Sequence, residues 1–216
     1  KPQSAFFERF GAAGVAVLER TLADLRHTGT LTVLDVKRGD IGSTAQAYAD
    51  AYLDEDAPMA ADAVTVSPFL GFGSLQPFFD VAARNDAGVF VLALTSNPEG
   101  PQFQHARTDA GTTVAGEVLA RLRSMNEGAA PIGSFGAVGG ATIGTSIEDL
   151  DVNGPLLVPG LGAQGGTAQD IGRLFAAVPG QVVASSSRGV LAVGPDPATL
   201  RAEAERVNAE LVRSNL

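Results

Sequence analysis

An α/β fold is predicted by two features of the sequence. Short apolar, β-rich runs bounded by Gly and Pro alternate with amphipathic helical stretches, and the two ends of those runs differ in character. The alternation indicates βαβ units and a parallel sheet. The asymmetry goes further. Nearly every run is followed by a polar or Gly-rich cluster (DVKRGD, SPFLGFG, TSNPEG, GGAT, PGLGAQGG, SSSRG), whereas the opposite ends carry bland turns such as HTGT, NDAG, DVNG and PG. A (β/α)8 TIM barrel builds its site at the C-terminal ends of all its strands, while an open doubly wound sheet concentrates it near one switch point. The predicted architecture is therefore a (β/α)8 barrel, a single domain over residues 1–216.

Taken in order, Lys1-Pro2-Gln3 reads as the tail of a strand and Ala5–Arg26 as a long helix. Strands follow at Thr30–Val36, Ala63–Val66, Gly88–Ala93, Ser134–Val138, Pro155–Val158 and Gln181–Ala184. The helical patterns between them are Ser43–Tyr52, Ser74–Asn85, Thr113–Met125, a short Ile147–Asp149 and Thr167–Ala177, and Pro197–Arg213 closes the chain. Ser43 or Thr44 is placed to cap its helix. Six strands and the tail of another make seven, in a chain of 216 residues against the roughly 250 typical of the barrel. The expectation is that the first strand and helix, and most of the second strand, are absent from this sequence, leaving an N-terminally incomplete barrel.

Composition excludes several classes. A formal net charge of −9 leaves no basic face for nucleic acid, yet one small phosphorylated ligand can still be held by local amides and a single Arg. The chain has no cysteine, so neither a disulfide nor a thiolate metal site is available. No apolar run approaches the roughly 18–20 residues that span a bilayer. The start, KPQSAFFERFG, shows no signal-peptide pattern, and a cytoplasmic protein is expected. His27 and His105 are each isolated, with no metal-ligand spacing around them, and no metal site is predicted.

Three charges arrive as the strand through Leu34 ends, in the segment LDVKRGDIGST. Residues two apart on a strand share a face, so Asp35 and Lys37 point together into the barrel mouth, away from Val36 and Arg38. Gly39 lets the chain turn, and Asp40 follows. A lysine held between carboxylates is favoured in its charged form, a poor Schiff-base nucleophile but a good positioned acid. Further along, Gly160, Gly162 and Gly165 give the spacing G-x-G-x-x-G. A dinucleotide fold expects an acidic residue ending the next strand, where VVASSSRG stands instead. The loop fits a barrel phosphate grip better, with Gln164 and backbone N–H groups facing the anion and Arg188 completing it. Ser96, in TSNPEG, is placed to read the edge of a planar heterocycle.

These stations resemble orotidine 5′-monophosphate decarboxylase, most closely its bacterial type 2, mycobacterial-like subgroup. The matching segments are KPQSAFFE, DVKRGDIGSTAQAYA, SPFLGFGSLQPF, TSNPEG, VPGLGAQGG and SSSRG, which span essentially the whole chain. The resemblance implies a carboxy-lyase that needs no metal and no cofactor, and converts orotidine 5′-monophosphate to UMP and CO2, the last step of pyrimidine biosynthesis. It implies that Lys1 is the first Lys of a catalytic Lys-Asp-Lys-Asp array, with Asp35 and Lys37 its central pair. It further implies a homodimer in which Asp40 and Thr44 reach the partner's site. Ser96 is implied to contact the pyrimidine, and Gln164, Gly165 and Arg188 the phosphate, with Pro159 at the base of a loop that closes on substrate. The family's ribose-binding Asp has no counterpart here. Two other readings stay open: a Mg²⁺-dependent sugar-phosphate lyase of the same barrel superfamily, and a non-catalytic phosphate-binding barrel.

Overall fold

The computed structural model describes residues 1–143, 148–162, 165–214 and 216. Its elements are α1 (Ala5–Glu8), α2 (Gly11–His27), β1 (Val33–Arg38), α3 (Gly42–Leu53), β2 (Ala63–Val66), α4 (Gln76–Arg84), β3 (Gly88–Leu94) and α5 (Pro101–Gln104). They continue with α6 (Val114–Met125), β4 (Phe135–Gly139), β5 (Leu156–Pro159), α7 (Ala168–Leu174), β6 (Val182–Ser185), α8 (Arg188–Leu191) and α9 (Pro197–Arg213). The strands form a six-stranded sheet in the order β1-β2-β3-β4-β5-β6, and the pairings β1·β2, β2·β3, β4·β5 and β5·β6 are parallel. An α/β fold with a parallel sheet is thus what the alternation of runs produces.

Two compact units divide the chain: Lys1–Leu92 with Ser134–Gly136, and Ala93–Gly133 with Ala137–Leu216. In the first, buried Leu18 and Leu22 of α2, Ala45 and Ala49 of α3 and Phe78 and Phe79 of α4 accompany Leu34, Val64 and Val89 of the strands. Phe79 meets Phe135 edge-on at 5.0 Å between ring centroids, a preferred aromatic geometry. At the N-terminal end of β1, Asp62 accepts from both the N–H and the hydroxyl of Thr32, at 2.6 and 2.9 Å. This fixes β1 against β2 at the end opposite the charged cluster.

The second unit buries Val118, Leu119 and Leu122 of α6, Leu156–Val158 of β5, and Ile171 and Phe175 around α7. Thr113 caps α6 by accepting from Gly116 N–H, and Thr167 caps α7 in a reciprocal box with Asp170. Both threonines begin the helices expected from the sequence as caps rather than as first turns.

Three local expectations are corrected. The long helix over Ala5–Arg26 is two helices, because Gly11 takes a positive φ of 61° and breaks the ladder after Phe10. Neither Ser43 nor Thr44 caps α3, which starts at Gly42 after an extended Ile41 with no side-chain cap. The short helix at Ile147–Asp149 does not form at Glu148 or Asp149, and Ile147 lies outside the described residues. Among the described residues, no helix is long and apolar enough to cross a membrane.

Candidate active site

The predicted strand tail at Lys1-Pro2-Gln3 docks beside β1. Gln3 forms a parallel bridge with Asp35, whose N–H donates to Pro2 O at 2.9 Å and whose carbonyl accepts from Ser4 N–H at 3.2 Å. That pairing brings Lys1 to Asp35, although 34 residues separate them: Lys1 Nζ donates to Asp35 Oδ2 at 2.8 Å. Lys37 Nζ donates to the other carboxylate oxygen, Oδ1. Asp35 is only 6% exposed, while the Lys37 side chain is 44% exposed and faces solvent.

Within this chain the expected lysine between carboxylates meets one of them, Asp35. The buried group is a carboxylate, and it sits between two ammonium groups. Burial pulls the Asp35 pKa upward, but hydrogen bonds from Lys1 and Lys37, with their charges, outweigh it and hold the carboxyl below its ordinary range.

The pairing of Asp35 with Lys37 was expected from strand parity, and the two do meet, by a different geometry. The β1·β2 register runs Val33↔Ala63 and Leu34↔Val64, then breaks and resumes at Arg38↔Val66. Four steps along β1 thus oppose two along β2, a bulge that re-aims side chains at the end of a strand. Within it Lys37 has a positive φ of 47°, uncommon for any residue with a Cβ. Beyond it, Gly39 lies so close to the next strand's exit that a Cβ would stand 2.4 Å from Ser67 O. Ser67 N–H, in turn, donates to Arg38 O at 2.7 Å.

Thr65, which sequence reasoning passed over, joins the cluster. Its hydroxyl donates to Asp35 Oδ1 at 2.8 Å and accepts from Lys37 N–H at 3.0 Å. The signal was available: Thr65 is the lone polar residue in the otherwise apolar strand AVTV, all four residues of which are buried. Arg38 was also passed over. Its guanidinium pairs with Glu8 of α1 at 2.6 Å and lies over the Tyr48 ring of α3, tying both helices to β1.

Asp40 follows the bulge, half-buried, and accepts from Ile41 N–H at 2.8 Å; Thr44 is exposed in the first turn of α3. Among the described residues, neither forms a hydrogen bond with the Lys1–Asp35–Lys37 cluster.

In the second unit the predicted stations also stand at C-terminal strand ends. Ser96 follows β3, half-buried, in a loop held by Gln104, which accepts from Thr95 N–H at 3.0 Å. Gly140 packs there so tightly that a Cβ would lie 2.9 Å from Ser96 N. Pro159 ends β5 opposite Ser185 of β6. Arg188 begins α8 and is exposed. Gln164 lies outside the described residues. The glycines of the loop turn as expected, with positive φ at Gly160, Gly162 and Gly165. Among the described residues, the N–H groups of Gly162, Gly165 and Gly166 donate to Gly166 O, Gly162 O and Gly160 O.

His27 and His105 are both exposed, and among the described residues no three His, Cys, Asp or Glu side chains gather as a metal site.

Comparison with known proteins agrees with this geometry. Residues 1–203 match the family described as orotidine 5′-phosphate decarboxylase / HUMPS. A Nocardioides protein named orotidine 5′-phosphate decarboxylase is 62% identical over 214 residues, covering 98% of this chain and 78% of that protein. A Streptomyces coelicolor protein of the same name is 57% identical over 212 residues, covering 98% and 76%. Among solved structures, a Streptomyces avermitilis chain is 55% identical with a TM-score of 0.96, covering 99% of this chain and 75% of that one. With its family profile, its relatives and its clustered lysines and aspartate in agreement, this chain belongs to the orotidine 5′-phosphate decarboxylase / HUMPS family.

Proposed function

We propose that this chain decarboxylates orotidine 5′-monophosphate to UMP and CO2, the last step of pyrimidine biosynthesis, in the cytoplasm and within a (β/α)8 barrel of which the six parallel strands form part. The observation that carries the reading is the Lys1–Asp35–Lys37 cluster at the C-terminal end of β1, in a chain 62% identical to a named decarboxylase.

The chemical difficulty is the carbanion left at C6 of the pyrimidine when CO2 departs. In this reading the Lys37 ammonium faces that carbon, stabilises the developing charge and delivers the proton. Its half-exposed position suits the role, since the ammonium is already at the mouth and needs no uncovering. A unit-charge pair near 4 Å is worth about 4 kcal/mol at an effective dielectric of 20, so one lysine is insufficient and preorganisation supplies much of the rest. Asp35 provides the preorganisation: it anchors both ammonium groups while it is itself fixed by Thr65. Ser96 reads the pyrimidine edge. Gln164, Gly165 and Arg188 hold the remote phosphate, with Pro159 at the hinge of their loop, so that binding energy far from C6 supports loop closure. Asp40 and Thr44 complete the site of the partner in a homodimer.

The rival Mg²⁺-dependent lyase is less well supported. Both oxygens of Asp35 already accept from ammonium groups, which a divalent cation would have to displace.

The test is turnover of orotidine 5′-monophosphate by the full-length protein, followed by loss of the orotate absorbance in buffer containing chelator. Lys37→Ala is expected to abolish it while leaving a folded protein, and near-normal turnover would remove Lys37 from the mechanism. Mixing equal amounts of inactive Lys37→Ala and Asp40→Ala proteins is expected to restore activity to about a quarter of the unsubstituted level, since about half of the dimers are hybrids and each hybrid rebuilds one of its two sites. No restoration would place Asp40 in its own subunit's site. Activity lost to chelator and regained with Mg²⁺ would favour the lyase.

A further inference from the structure

We propose that Thr65 is a positioning residue for the Lys37 ammonium, acting through the Lys37 backbone and through Asp35. The inference rests on the reading of Lys37 as proton donor and adds to it the device that aims it.

Lys37 occupies a left-handed backbone conformation, φ 47°, which a residue with a Cβ adopts only when its surroundings impose it. In an unbroken parallel ladder its N–H would meet a carbonyl of the neighbouring strand. Here the register between Leu34↔Val64 and Arg38↔Val66 is broken, and the N–H goes instead to Thr65 Oγ1 at 3.0 Å. Thr65 stands between the two flanking register points on β2, opposite the bulge.

The polarity of the hydroxyl is fixed by its partners. It carries one proton, and the Lys37 amide nitrogen offers no lone pair to accept it, so the proton goes to Asp35 Oδ1 at 2.8 Å. That oxygen also takes the Lys37 ammonium. One side chain therefore grips Lys37 at both ends, at its amide directly and at its ammonium through a shared carboxylate oxygen. Thr65 is 1% exposed, so bulk water has no access to replace the hydroxyl.

Loss of this hydroxyl frees the Lys37 peptide to rotate, and a small rotation at the backbone becomes a large displacement at the end of a four-carbon stem. Misplacement of a reacting group by about 1 Å costs on the order of 100-fold in rate. Binding of the phosphate and pyrimidine depends on other residues and is unaffected.

Thr65→Val keeps the shape and removes the hydroxyl; Thr65→Ser keeps the hydroxyl. In the full-length protein, Val is expected to lower kcat by about 10- to 100-fold with KM changed less than about threefold, and Ser to stay within about threefold of the unsubstituted kcat. A Val variant with unreduced kcat, or a Ser variant as impaired as Val, overturns the proposal. So does a loss shared equally between kcat and KM. Should the Val variant fail to fold, amide exchange in the unsubstituted protein decides: Lys37 N–H is expected to be protected by about 100-fold or more, as a buried bonded amide is, and exchange at the free-chain rate overturns the assignment. Lys37→Ala is assayed in parallel. If it is inactive while Thr65→Val is not, the positioning role alone fails; if it remains active, the underlying reading of Lys37 fails first.

Discussion

Asp35 concentrates the electrostatics of the first unit in one carboxylate. Its pKa is lowered against the pull of burial by the bonds and charges of Lys1 and Lys37, and the sign of the consequence follows directly. A carboxyl with a lower pKa folded than unfolded binds protons preferentially in the unfolded chain. Its stabilisation is complete above the ordinary carboxylate value and is lost as pH falls through the lowered folded value. The contribution is on the order of 1–2 kcal/mol, toward the low end because the Lys37 side chain is half in solvent. Asp35→Asn is expected to melt lower at neutral pH and to lose less on acidification, so the two melting curves converge as pH falls toward 3. Parallel curves across that range would show that Asp35 does not contribute through its charge. The Asp35–Lys37 pair was legible because both residues stand in one short motif. Lys1 was legible only through resemblance, since nothing local in the sequence predicts a bond across 34 residues.

At the scale of elements, the exits of β1 and β2 approach too closely for a side chain. A Cβ on Gly39 would meet Ser67 O at 2.4 Å, and a backbone atom has little room to yield. Gly39→Ala is expected to part the two exits and cost about 1–3 kcal/mol, lowering Tm by several degrees, with kcat falling because the bulge carries Lys37. Calorimetry and the turnover assay check it; an unchanged Tm would mean that the exits separate freely. Five of the six strands were legible to within a residue at each end, because each is a short apolar run between turn formers; β1 was read as Thr30–Val36 but runs Val33–Arg38, through the bulge. The helix boundaries were less so. The break between α1 and α2 rests on Gly11, a residue that sequence periodicity tolerates inside a helix, and the cap of α3 follows from the backbone path out of the bulge rather than from Ser43 or Thr44. The carbonyl partners of the Gly162, Gly165 and Gly166 amides were not legible either, since G-x-G-x-x-G specifies where the chain bends and not which carbonyl each N–H finds.

For the molecule as a whole, the parallel α/β character and the gathering of polar stations at strand ends were both written in the alternation of the chain. Each unit keeps its stations at C-terminal strand ends: Lys37 and Asp40 in the first, Ser96, Pro159 and Arg188 in the second. The division into two compact units was not legible, because its boundaries fall inside β3 and β4, where no change of composition marks them. A net charge of −9 gave no hint that the local cluster is cationic, two ammonium groups to one carboxylate. Net charge reports on the surface as a sum, and the site is a local exception to it.

The left-handed backbone at Lys37 places a demand on the residue there that is separate from its charge. At an ordinary position Ala is better tolerated than Gly; at a positive φ the order reverses, because only Gly escapes the clash of its Cβ. Lys37→Gly is therefore expected to melt a few degrees above Lys37→Ala, a difference of about 1 kcal/mol, although both lack the ammonium. Equal melting temperatures would mean that the conformation carries no strain. If the order is as expected, the melting temperatures of the two variants read the backbone conformation at position 37 apart from the charge it carries.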